Sequence, residues 1–70
     1  MSILHPSTAA AASRKGYRLQ VNQHAPVGYN NAYSVDIYNG YDEHVSEYYI
    51  GRTPTEARES LSQIVRGLKP

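Results

Sequence analysis

The sequence predicts an α+β fold: a three-stranded antiparallel sheet with one C-terminal helix packed on one face (βββα), behind an N-terminal arm or short helix. Three observations carry this. Apolar and polar residues alternate over Tyr17–Asn22 and Tyr33–Tyr38, which is the period of a half-buried strand, and Tyr41–Ile50 returns as the third strand. Asn39-Gly40 separates the second run from the third, and both residues tolerate the positive φ of a type I′ hairpin turn. Thr53-Pro54-Thr55-Glu56 then opens a stretch with helical spacing of apolar residues.

Residues 1–16 differ in composition from residues 17–70, which make the single domain. Ser7 is placed to cap a short helix from Thr8 to about Lys15, ended by Gly16. A helix of that length is marginal alone, so the segment is either a mobile arm or a helix held on the sheet by Ile3, Leu4 and the alanines. In the first strand Tyr17, Leu19 and Val21 share one face. Gln23–Asn31 contains Pro26, Gly28 and two asparagines, and reads as a loop.

A two-residue turn pairs Tyr38 with Tyr41 and Val35 with His44; a longer, frayed loop through Asp42 and Glu43 is the alternative. A four-residue loop keeps the same parity, so Tyr33, Val35 and Ile37 share one face with Ser46, Tyr48 and Ile50. Ser34, Asp36 and Tyr38 then share the other with Val45, Glu47 and Tyr49; a β-bulge in the third strand would swap the assignment. The final helix spans Pro54–Arg66. Thr53 is its N-cap, Pro54 occupies the first turn, Glu56 closes a capping box and Gly67 ends it. The expected core is Leu19, Val21, Tyr33, Val35, Ile37, Tyr48 and Ile50 against Leu61, Ile64, Val65 and Leu68.

Seventy residues allow one small domain whose core is marginal. There is no Cys, so disulfides and thiolate metal sites are excluded, and a partner protein or a homodimer is the expected supplement. Seven Lys and Arg balance six Asp and Glu, without the basic excess of a domain that grips phosphates. No window approaches a membrane span, and Met1–Pro6 has neither the basic nor the apolar region of a signal peptide, so a cytoplasmic protein without membrane contact is expected. His5, His24 and His44 are scattered, and no metal or other cofactor is expected. No nucleophile–base motif can be placed, which predicts a protein that is not an enzyme. Asp42-Glu43-His44 is read as a solubilising tip. Gly51-Arg52-Thr53 is read as a cap rather than a phosphate cradle.

All seven aromatic residues are tyrosines. Tyr is apolar in its body and polar at its tip, which suits wet interfaces. The candidate partner-binding residues are Tyr38, Tyr49, Tyr41, Arg18, Asp36, Glu47 and Tyr29. A secondary reading is a nucleic-acid-binding domain using Arg14, Lys15, Arg18 and Arg52, against which Asp36 and Glu47 would repel phosphates.

The run Tyr33–Tyr38 (YSVDIY), followed by Gly51–Leu61 (GRTPTEARESL), resembles two families. One is the HicB-type antitoxins, with a partial double-stranded-RNA-binding fold. The other is the arm-binding domain of tyrosine integrases. Both resemblances imply a three-stranded sheet with a helix; neither transfers a functional residue. The type of protein (small, Cys-free, near-neutral) is similar to phage-encoded inhibitors such as anti-CRISPR proteins. The expected function is therefore that of a small non-enzymatic protein-binding regulator or inhibitor acting through the Tyr-rich sheet face and the hairpin.

Overall fold

A computed structural model describes residues 3–24 and 32–70. Its elements are α1 (Pro6–Arg14), β1 (Arg18–His24), β2 (Ala32–Tyr38), β3 (His44–Gly51) and α2 (Pro54–Gly67). The strands form one antiparallel sheet in the order β1-β2-β3. The expected α+β architecture is present, with a helix at each end of the chain.

The N-terminal segment forms the short helix, starting two residues earlier than its composition suggests. His5, not Ser7, is the N-cap: its Nδ1 accepts a bond of 3.1 Å from the Ser7 N–H. Pro6 explains the shift, because its fixed φ and missing N–H suit the first helical position. The helix is held by tertiary contacts, with Ala12 buried and Ile3, Leu4 and Ala11 packed against the core. Gly16, at φ 92°, turns the chain into β1.

β1 begins after Tyr17 and runs through Gln23 and His24, which pair with Tyr33 and Ala32 instead of belonging to the loop. Between β2 and β3 the connection is longer than a two- or four-residue turn, since Tyr38 pairs with His44. The Asn39 carbonyl accepts from the Asp42 N–H, and the Asn39 N–H donates to the Glu43 carbonyl, both at 3.0 Å. Asp42 supplies the left-handed residue, at φ 64°. The Asn39 Oδ1 also accepts from the N–H groups of Tyr41 and Glu43. A type I′ turn is thus displaced by a loop wound around the Asn39 side chain.

Two register shifts mark β3: Val45 and Ile50 are extra residues opposite the Ile37/Tyr38 and Tyr33/Ser34 steps. Between them the expected sharing of faces holds, but the register does not: Val35 lies opposite Tyr48 and Asp36 opposite Glu47, where a two-residue turn would have put Val35 opposite His44. The bulge at Val45 moves His44 to the side of Tyr38 and Asp36.

One layer of helices covers one face of the sheet. The buried core is Ala12, Leu19, Tyr33, Val35, Ile37, Ile50, Ala57, Leu61 and Val65, with Val21, Ile64 and Leu68 partly buried around it. Tyr48 departs from expectation. It lies on the helix side of β3, which has no further strand neighbour among the described residues, and it is 46% exposed.

α2 begins as its sequence indicates: Thr53 Oγ1 accepts from the Glu56 N–H at 3.2 Å. The reciprocal bond is displaced by one residue, because Glu56 Oε2 accepts from the Arg52 N–H. Gly67 is helical, and Leu68 is the C-cap. The end is closed from outside, where Lys15 Nζ donates to the carbonyls of Val65, Arg66 and Leu68 at 2.8, 3.2 and 2.9 Å. A cation on the orphan carbonyls also complements the helix dipole.

Candidate functional site

The face of the sheet away from the helices is built by alternation along β1 and β2, with the Val45 bulge bringing His44 of β3 onto it. Leu19, Val35 and Ile37 point into the core, so Arg18, Gln20 and Asn22 of β1 emerge on the other side with Ser34, Asp36 and Tyr38 of β2. β3 adds His44, Glu47 and Tyr49. Most of these residues are exposed or half-buried, whereas Ser34 is buried and Tyr49 borders a cleft shared with Glu56, Glu59, Ser60 and Gln63 of α2. Tyr49 is 64% exposed, and Tyr41, at the hairpin tip, is 87% exposed.

The side chains are connected in one chain of contacts across the face. Asp42 Oδ1 accepts from Arg18 Nη2 at 2.6 Å. The Arg18 guanidinium lies over the Tyr38 ring, 4.2 Å from its centroid. Tyr38 meets the His44 ring edge-on at 5.3 Å. His44 Nε2 lies 2.9 Å from Asp36 Oδ1, and Asn22 Nδ2 donates to Asp36 Oδ2 at 2.7 Å. These contacts hold the Asp36 carboxyl below the ordinary carboxylate range, the His44 bond acting most strongly and the Asn22 bond next. The centre of the face is therefore anionic and pre-ordered.

Five sequence-predicted residues share this face: Tyr38, Tyr49, Arg18, Asp36 and Glu47. Tyr41 projects from its hairpin end, and Tyr29 lies outside the described residues. Two participants were missed. His44 was assigned to the opposite side, because a bulge leaves no mark in an alternation pattern. Asn22 was seen only as a polar strand residue. Asp42, Glu43 and His44, adjacent in sequence, turn to three separate partners: Arg18, Asn39 and Asp36. Among the described residues no three metal-ligating side chains converge.

The alternative basic set is dispersed. Lys15 is committed to the end of α2. Arg14 is in the last turn of α1. Arg18 is paired with Asp42, and Arg52 follows β3 at the far end of the sheet, roughly 20 Å from Arg18 at the rise of a strand. The junction at Arg52 is occupied by the chain's own carboxylate, since Glu56 accepts the Arg52 N–H at 3.1 Å.

No helix among the described residues is long and apolar enough to cross a membrane. No protein-family model, no curated protein and no solved structure matches the chain. The geometry of the open face accordingly carries the functional argument by itself.

Proposed function

We propose that this chain is a non-catalytic, cytoplasmic protein-binding regulator or inhibitor, of the type encoded by phages, that engages its partner with the open sheet face and the hairpin. The observation that carries the reading is the open face itself, where Tyr38, Tyr49 and Arg18 stand on a rigid sheet with Tyr41 at the rim. Tyr and Arg are the residue types that anchor protein interfaces, and an exposed aromatic surface favours a contact. Pre-ordering by Asn22, His44 and Asp42 lowers the entropy lost on docking.

Capture from the native host, with wild-type protein and a Tyr38→Ala/Tyr49→Ala variant immobilised, tests it. Wild type is expected to retain a partner protein in nuclease-treated and untreated lysate alike, and the variant to lose it while keeping its circular dichroism spectrum. Full retention by the folded double variant rejects the reading, as does a capture that nuclease abolishes.

A further inference from the structure

The near-neutral total charge conceals a separation. The sheet face and hairpin hold Asp36, Asp42, Glu43 and Glu47 against Arg18, a sum of −3. The helices and their flanks hold Arg14, Lys15, Arg52, Arg58, Arg66 and Lys69 against Glu56 and Glu59, a sum of +4. Docking like charges is costly, so the sign of the face selects a cationic surface.

The face also shows how it receives a cation. Arg18 is held between a carboxylate and a ring: Asp42 at 2.6 Å and the Tyr38 ring at 4.2 Å. On the same face, along β3, Glu47 and the exposed Tyr49 repeat that pair of groups two residues apart, and alternation directs both outward. Each tyrosine ring offers a negative face to a guanidinium, which is planar and weakly hydrated and stacks better than an ammonium.

We propose that the open face docks on an arginine-bearing protein surface, with Tyr49 and Glu47 receiving a partner guanidinium as Tyr38 and Asp42 receive that of Arg18. This rests on the sheet-face reading and specifies the chemistry of its partner. Tyr41, at the rim, supplies a second ring for a neighbouring arginine. Nucleic acid is disfavoured by the same charge.

The test is amide NMR titration of the full chain with three probes: a peptide of four Arg-Gly-Gly repeats, its Lys-Gly-Gly counterpart and a 20-base-pair DNA duplex. The arginine peptide is expected to shift Glu47 and Tyr49 and to bind about threefold tighter than the lysine peptide. Tyr49→Leu should erase that preference and Tyr49→Phe should keep it. Glu47→Gln should weaken both peptides about threefold. Equal binding of the two peptides overturns the proposal, as do shifts confined to the helices or DNA shifting the sheet face. Sedimentation equilibrium at low salt adds one more outcome: self-association that occupies the face would make a second copy the occupant, and would also overturn it. Indifference to Glu47→Gln and Tyr49→Leu removes the arginine assignment alone. The tyrosine capture experiment decides the sheet face separately.

Discussion

Gly51 and Gly16 both have positive φ, at 127° and 92°, yet they constrain the chain differently. A Cβ on Gly51 would lie 2.6 Å from Glu56 Cβ, whereas a Cβ on Gly16 would meet nothing within 4 Å. Gly16→Ala should cost about 1 kcal/mol through backbone strain alone. Gly51→Ala adds a collision at the start of α2 and should cost more, about 3 kcal/mol or above, read from urea unfolding midpoints. Asp36 offers a second residue-level test. Its folded carboxyl is depressed by His44 and Asn22, so its contribution to stability is present above the unfolded value and is lost as pH falls through the folded one. Asn22→Ala should raise the Asp36 carboxyl toward its ordinary value in an NMR titration and move the acid-unfolding limb to higher pH; an unmoved carboxyl resonance would contradict this. Much of this detail was hidden in the sequence. Asp36 was recognisable as a face residue, but the bond to His44 depends on a bulge. Lys15 looked like part of a basic cluster because its carbonyl partners lie some fifty positions away.

At the scale of elements, the start of α2 and the strands were legible where local chemistry decides, while the start of α1 was set by Pro6. Thr53-Pro54, the two alternating runs and Asn39-Gly40 needed no tertiary information. Endings were less legible. Gly67 resembles a helix terminator, yet Lys15 supplies the acceptors' partner from outside and the glycine stays helical. Lys15→Met should therefore lower stability by about 1–2 kcal/mol, a typical loss for a charge-assisted bond to a helix end, measured by thermal or urea unfolding. The hairpin is legible in Asn39-Gly40, but its loop is the longer alternative through Asp42 and Glu43 and not the two-residue turn, because the Asn39 side chain competes with the backbone for the same N–H groups. Asn39→Ala removes two accepted bonds and should lower the backbone order parameters of Gly40–Glu43. It should leave the pairing of Val35 with Tyr48 intact; unchanged order at the tip would show that Asn39 is dispensable.

For the whole molecule, the sequence conveyed layer order and the identity of the covered face, because the apolar residues of the strands and of α2 agree on one interior. It did not convey that the charges separate, since the net charge averages over two opposed surfaces. This polarity bears on kinetics. Association with a cationic protein partner should be fastest at low ionic strength and fall steeply as salt is added, chiefly in the on-rate. Stopped-flow measurement at 25 and 150 mM NaCl checks this, and a salt-independent on-rate would remove electrostatic steering.

The Lys15 ammonium bridges the junction of α1 and β1 to three carbonyls at the far end of α2. Tyr17 adds a bond from its hydroxyl to the Lys69 carbonyl at 2.8 Å. Helix ends ordinarily fray independently of the body they belong to. Here the last turn of α2 cannot open without releasing the entry to β1, so the two regions should behave as one cooperative unit. Native-state hydrogen exchange should then give the closing amides of α2 a protection close to that of β1, and Lys15→Met should let the helix end exchange first.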